Sequence, residues 1–163
     1  MDDRQIQYGR EWLEGLLRLS GIPAQVAVDP DKLLTEGSCW LTIDEALLSP
    51  TQVEALIGVG GSALDAIQYL ANTTLNLGQP EDQQTAYTIE LAGYRVRRQA
   101  ELQSLAEQAV QQVRDTGEEY EMAALSAAER RQVHTYLKAY EDLETYSRGK
   151  EPDRRLVVRL AQP

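Results

Sequence analysis

Leu56-Ile57-Gly58-Val59-Gly60-Gly61-Ser62-Ala63-Leu64-Asp65-Ala66-Ile67-Gln68-Tyr69-Leu70 is the stretch on which the fold turns. Its glycines separate two segments of helical apolar spacing. The earlier segment opens at Ser49-Pro50-Thr51-Gln52, with serine at the N-cap, proline at the first helical position and glutamine at the third, and it runs to Gly58. The later one starts after Gly61 and places Leu64, Ile67, Leu70, Ala71 and Thr74 on one face, with Gly78 as its expected stop. Glycine lets the backbone take positive φ and approach a ligand closely, and the helix that follows offers unpaired amides at a positive dipole end. That suits a phosphate, although a glycine-rich link between helices is also ordinary turn chemistry. It is not a Walker loop, because no Lys-Ser or Lys-Thr follows Gly61, nor a dinucleotide fingerprint, because a helix precedes it.

Upstream, Arg4 to Ser20 spaces Tyr8, Trp12, Leu13, Leu16 and Leu17 as an amphipathic helix that Gly21-Ile22-Pro23 stops. Gln25 to Val28 and Cys39 to Ile43 read as strands joined by a polar stretch around Asp29-Pro30-Asp31. Downstream, after the polar loop Gln79 to Gln84, Ala86 to Leu91 reads as a third strand, with Tyr87, Ile89 and Leu91 alternating against Ala86, Thr88 and Glu90. The order is αββααβ.

Beyond Gly93, Arg95 to Thr116 carries a helical stripe of Leu102, Leu105, Ala106, Ala109, Val110 and Val113. Glu118 to Met122 reads as a strand, and Ser126-Ala127-Ala128-Glu129 is a capping box opening a helix to about Tyr140. Thr145 to Arg148, a Gly149-Lys150-Glu151-Pro152 turn and a strand from Arg154 to Leu160 follow. In that strand Leu156, Val158 and Leu160 alternate with Arg155, Val157 and Arg159, giving one apolar and one partly basic face. The expected fold class is α+β, with two small domains at 1–93 and 94–163.

The 163 residues are 42% hydrophobic, enough to bury a core. No run approaches the ~18 apolar residues of a membrane span, and the start Met1-Asp2-Asp3-Arg4 resembles neither a signal nor a transit peptide, which makes the cytoplasm the expected compartment. A single cysteine, Cys39, excludes an internal disulfide, and a single histidine, His134, leaves too few soft ligands for a zinc site; neither a metal nor another cofactor is expected. The net charge of -10 is unevenly spread. Residues 1–93 hold four basic side chains (Arg4, Arg10, Arg18, Lys32) and 14 acidic ones, whereas 94–163 hold 12 of each. A surface for a polyanion therefore belongs in the second part.

In the helix after Ser126, Val133, Tyr136, Leu137 and Tyr140 fill one arc, and Arg130, Arg131, His134 and Lys138 fill an adjoining basic arc. Arg130 and His134 are one turn apart and can address one phosphate; a solvated helix flank with a half-buried histidine is the plainer reading. Trp12, Trp40, Tyr69 and Tyr87 sit at apolar-face positions and read as core, Cys39 as a small buried hydrophobe, and Tyr146 as the best candidate for stacking on a base. An enzyme, such as a nuclease with His134 as general base, needs a second titrating group, and Glu129 and Asp142 stand at no diagnostic spacing.

The glycine loop between adjacent helices in an αββααβ order resembles a type II KH domain, and the run from Leu56 to Leu70 is similar to the KH domain of the Jag, or SpoIIIJ-associated, family. Glu129-Arg130-Arg131-Gln132-Val133-His134 and then Thr145-Tyr146-Ser147-Arg148-Gly149-Lys150-Glu151-Pro152-Asp153-Arg154-Arg155-Leu156-Val157-Val158 resemble the Arg-x-x-x-His (R-three-H) domain that closes those proteins. The two resemblances cover nearly the whole chain in family order. They imply a non-catalytic protein for single-stranded RNA, in which Gly58, Val59, Gly60, Gly61 and Ser62 hold backbone while Arg130, Arg131, His134, Lys138, Lys150, Arg154 and Arg155 hold phosphate. They also imply post-transcriptional regulation linked to cell elongation and division, and a small single-KH-domain protein or self-association through the KH domain as protein contacts. Three features depart from the pattern. The variable loop positions are Val59 and Gly60, without the usual cation; Ala124 and Ala127 stand where prolines are often found; and, with Met1 a few residues from the first KH helix, the separate amino-terminal domain of many members is not expected here. The acidic first part and the cation-free loop favour an alternative, a protein-interaction or dimerisation module whose KH unit has lost nucleic-acid binding.

Overall fold

A computed structural model describes residues 3–29, 32 and 37–161. Of the expected link Asp29-Pro30-Asp31, Pro30 and Asp31 lie outside the described residues. The chain divides into two compact units, Met1–Arg95 and Val96–Pro163.

The first unit contains α1 (Asp3–Leu19), β1 (Val26–Asp29), β2 (Cys39–Ile43), α2 (Pro50–Ile57), α3 (Ser62–Leu75) and β3 (Tyr87–Leu91), which is the αββααβ order the sequence predicts. The sheet order is β1-β2-β3. β1 runs antiparallel to β2, with Val28 opposite Leu41, and β3 runs parallel to β2, with Leu41 opposite Ile89. A parallel pair needs a crossover, and α2 and α3 supply it. The alternate residues Cys39, Leu41, Ile43, Tyr87, Ile89 and Leu91 point into a core with Leu13 and Leu17 of α1 and Leu64, Ala71 and Leu75 of α3. At the start of α2, Ser49 Oγ accepts from Gln52 N at 3.2 Å while Gln52 Oε1 accepts from Ser49 N at 2.9 Å, closing the expected capping box.

α3 departs from expectation in two ways. It ends at Leu75 rather than at Gly78, and its buried stripe is Leu64, Ala71 and Leu75, with Ile67 half-buried; Leu70, Thr74 and Tyr69 are exposed. At 3.6 residues per turn Leu75 lies about 20° round from Leu64, whereas Leu70 lies about 120° and Tyr69 about 140° away, beyond the reach of the sheet. Trp40 is buried as expected, but it stands on the face of β2 opposite Leu41, with Lys32 Nζ 3.5 Å from its ring centre.

The second unit is formed by α4 (Tyr94–Thr116), which begins at the end of the first unit, β4 (Tyr120–Glu121), α5 (Ala127–Leu137), β5 (Leu143–Arg148) and β6 (Arg155–Leu160). Its sheet has the order β4-β6-β5 and is antiparallel throughout. Leu102, Ala106, Ala109, Val110 and Val113 of α4 pack with Val133 and Leu137 of α5 and with Leu143, Leu156 and Val158 of the sheet. The molecule is thus α+β, as expected. α5 stops at Leu137, three residues short of Tyr140, where the bonding tightens to the i→i−3 pattern: Ala139 N–H donates to Tyr136 O at 3.3 Å and Tyr140 N–H to Leu137 O at 3.1 Å. No helix among the described residues is long and apolar enough to cross a membrane.

Candidate functional site

The glycine loop is a single tight turn, Val59–Gly61, with Gly61 N–H donating to Gly58 O at 3.2 Å. Gly58, Gly60 and Gly61 all have positive φ, at 73°, 60° and 83°. A Cβ on Gly58 would sit 2.7 Å from Ala63 N, and one on Gly61 would meet the Tyr94 hydroxyl and ring, whereas one on Gly60 would face open space. Two of the three glycines are therefore demanded by packing, and Gly60 by its backbone angle alone. Val59 is 94% exposed at the tip, and Ser62 is exposed at the first position of α3. No side-chain cation stands on the loop itself. Arg95 brings a guanidinium to the first turn of α3, where Nη1 reaches Asp65 Oδ1 at 2.5 Å and Nε donates to Ile89 O at 3.1 Å. Asp65 offsets its charge.

In the second unit the basic arc expected on α5 is divided. Arg130 is 6% exposed and does not stand on an open flank. Its Nη1 donates to Leu125 O at 2.7 Å and to Arg154 O at 3.2 Å, and its Nη2 pairs with Glu151. It thereby fastens the β5–β6 turn to the segment that enters α5, a long-range closure that helical arithmetic cannot see. His134 is half-buried, with Nδ1 against the Thr145 hydroxyl of β5. Arg131 remains exposed on α5 and Lys138 at its C-cap, Lys150 and Arg154 are exposed in the β5–β6 turn, and Arg155 is half-buried at the start of β6.

Those last five cations share a property that separates them from other arginines of the same unit. Arg98 is held by Glu101 and Glu129, Arg114 by Asp142, Arg130 by Glu151, Arg148 by Glu119 and Glu121, and Arg159 by Glu144. Arg131, Lys138, Lys150, Arg154 and Arg155 form no ion pair among the described residues. A unit that is neutral by composition has therefore spent many of its carboxylates on one set of cations and left another set open. Burial pushes the Glu129 carboxyl up, but the Arg98 guanidinium and the Ser126 N–H outweigh it and hold the group below the usual carboxylate range. Glu119 is likewise held low by Arg148 and Tyr146.

Sequence reasoning missed the side chains that finish the first sheet. Asn76 bonds both Thr85 N and Thr85 O, Asn72 bonds both Tyr87 N and Tyr87 O, and Gln68 Oε1 accepts from Ile89 N. The visible signal was three amides spaced four apart, Gln68 and Asn72 on α3 and Asn76 at its C-cap. Glu90, also missed, is 5% exposed, and its Oε1 accepts from the backbone N of Leu91 and Arg95. Among the described residues no group of three His, Cys, Asp or Glu side chains is placed to hold a metal.

The family model of the R-three-H domain matches residues 100–160, a stretch that takes in most of α4 and all of β4, α5, β5 and β6. The chain is 27% identical over 150 residues to a protein of Lactiplantibacillus plantarum called RNA-binding protein KhpB, covering 92% of this chain and 43% of that one. Proteins of the same name from Clostridium symbiosum and Bacillus subtilis are 30% and 31% identical over 105 residues, covering 64% and 63% of this chain and 46% and 50% of theirs. The chain spans about half the length of the curated relatives it matches.

Proposed function

We propose, from the premise that this chain is a Jag-type relative of the KhpB proteins with an R-three-H domain at residues 100–160, that it binds single-stranded RNA without catalysing a reaction on it. The observation that carries the reading is the set of five unpaired cations, Arg131, Lys138, Lys150, Arg154 and Arg155, in a unit where Arg98, Arg114, Arg130, Arg148 and Arg159 are tied to carboxylates. Open cations are free to replace the counterions of a phosphate backbone, and paired ones are not. Arg130 is a positioning residue that holds the turn bearing Lys150 and Arg154 in place, and His134 acts from the α5–β5 seam. The first unit adds the loop Gly58 to Ser62, which offers backbone donors to a sugar-phosphate strand in the manner of a type II KH domain. Two weak modules at 1–93 and 94–163 gain joint affinity through effective concentration. The family resemblance extends the reading to a cytoplasmic post-transcriptional regulator connected with cell elongation and division, in contact with a small single-KH-domain protein or with itself.

A second reading is favoured by one observation. Residues 1–93 carry a net charge of -10, and the guanidinium near the loop, Arg95, is already shared with Asp65. On that reading the first unit is a protein-contact or dimerisation module, and RNA is held by the second unit alone.

Fluorescence anisotropy of a short labelled single-stranded RNA, titrated between about 50 and 200 mM salt, tests the main reading. Affinity is expected to fall clearly across that range and to drop further on Lys150→Glu with Arg154→Glu. A flat salt response, or unaltered binding by the double variant, overturns it. Val59→Lys decides between the two readings of the loop: tighter RNA binding supports a KH-type contact, and an unchanged affinity supports the protein-contact module.

A further inference from the structure

The outer face of the β4-β6-β5 sheet is not an ordinary solvent face. Leu156 and Val158 point to the helices, so Val157 points away from them, yet it is 0% exposed. The register sets Tyr146 directly opposite Val157 and Thr145 opposite Val158, so the half-buried Tyr146 stands on that outer face and helps to roof the valine. On either side of the tyrosine row lie two charged rows, Arg148 opposite Arg155 and Glu144 opposite Arg159.

The Arg148 and Arg159 guanidinium carbons are 5.5 Å and 5.3 Å from the Tyr146 ring centre. Both are within cation–π range. Their tethers are unequal. Arg148 is held by Glu119, by Glu121 and by the Tyr146 hydroxyl, and that hydroxyl donates to Glu119 Oε2 at 2.7 Å. Arg159 has Glu144 as its one ion-pair partner among the described residues, through a pair whose side chains are 40% and 46% exposed, a kind of contact that contributes little. One side of the ring is pinned, and the other opens readily.

Charge divides the face in the same direction. Around the ring, the three carboxylates of Glu119, Glu121 and Glu144 outnumber the two guanidinium groups of Arg148 and Arg159, so this region offers a flat aromatic surface and no second seat for phosphate. At the hairpin end, one row or about 7 Å along the strand, Arg155 has no carboxylate partner among the described residues, and Lys150 and Arg154 stand exposed in the turn beyond it. A strand whose phosphate is held there carries its base toward the tyrosine.

Resting on the RNA-binding reading above, we propose that the outer face of this sheet stacks one nucleobase of a bound single strand on the Tyr146 ring, in the position Arg159 takes in the free protein. The ligand class is thus a nucleotide within a strand, its phosphate on Lys150, Arg154 and Arg155 and its base on Tyr146. Every base has a π face, so the contact tolerates sequence.

The full chain, its Tyr146→Phe and its Tyr146→Ala variants are compared for binding to a short uridine-containing RNA and to an abasic strand with the same number of phosphates. Tyr146→Phe is expected to stay within about twofold of the parent, and Tyr146→Ala to lose roughly tenfold on RNA while keeping its affinity for the abasic strand. An equal loss for Phe and Ala would mean that the hydroxyl bridge to Glu119 matters and the ring does not, and overturns the proposal. So does RNA binding by the parent that neither variant changes, an outcome that leaves the broader reading intact; absence of RNA binding by the parent removes both. Because Tyr146→Ala also uncovers Val157, ultraviolet crosslinking of the unaltered protein to 4-thiouridine RNA gives a second measure. Adducts on the peptide containing Tyr146 support the stack, and adducts confined to other peptides refute it.

Discussion

Without Arg130, which is 6% exposed, the buried Leu125 O and the part-buried Arg154 O lose their shared donor, and the largely exposed Glu151 carboxylate loses its partner. Leaving buried acceptors unsatisfied costs about 1–3 kcal/mol, so Arg130→Ala is expected to destabilise the second unit by roughly 2–3 kcal/mol in urea denaturation. Arg131→Ala, one residue away and exposed, is expected to stay within about 0.5 kcal/mol while weakening RNA binding. Equal effects on stability would refute the assignment of the two arginines to separate tasks. Their periodicity on α5 was legible in the sequence. That the β5–β6 turn folds onto one of them was not, because the contact from Arg130 to Arg154 spans 24 residues. The loop glycines divide similarly. Gly61→Ala is strained at φ 83° and also collides with Tyr94, whereas Gly60→Ala carries only the backbone strain, so the former is the more destabilising of the two in thermal denaturation. In the sequence the three glycines look equivalent; their neighbours distinguish them, Ala63 at Gly58, Tyr94 at Gly61 and open space at Gly60.

An edge strand exposes a row of backbone donors and acceptors that invites pairing with another chain. In β3 and the residues that lead into it that row is closed by side chains: Asn76 at Thr85, Asn72 at Tyr87, Gln68 and Arg95 at Ile89, and Glu90 at Leu91. Asn72→Leu removes two of these bonds at once and is expected to cost about 2 kcal/mol and to make sedimentation concentration-dependent as the edge opens. A variant as stable and as monodisperse as its parent would show that the ladder is incidental. The elements themselves were legible because capping boxes at Ser49 and Ser126 and the alternation in β3 and β6 are local signals. The ladder was not, since amides spaced four apart read as a polar flank until a strand edge lies beside them. α5 carries an element-scale pH dependence. Glu129 caps the helix and has a folded pKa below its unfolded value, so its contribution is complete above the unfolded value of about 4.3 and is lost as pH falls through the folded one. Glu129→Gln is expected to flatten that acid limb of a stability-against-pH curve; an unchanged slope would remove Glu129 from the account.

Across the whole chain the uneven charge was visible in composition, with -10 in residues 1–93 and balance in 94–163, but composition counts charges without saying which are spent. Within the second unit the ion pairs of Arg98, Arg114, Arg130, Arg148 and Arg159 make that distinction, and among its described residues they leave Arg131, Lys138, Lys150, Arg154 and Arg155 open as the electrostatic footprint. The number has a measurable counterpart. If a single strand engages all five, the plot of log affinity against log salt has a slope of about -3.5, since each phosphate neutralised on a single strand contributes about -0.7. Replacing one open cation, as in Arg154→Gln, is expected to reduce the steepness by about 0.7. Replacing a tied one, as in Arg114→Gln, is expected to leave the slope alone, because its guanidinium already has Asp142 as a counterion. Should Arg114→Gln and Arg154→Gln shift the slope equally, the polyanion would be answering the total charge of the unit, and the division into spent and open cations would have no bearing on how this molecule binds.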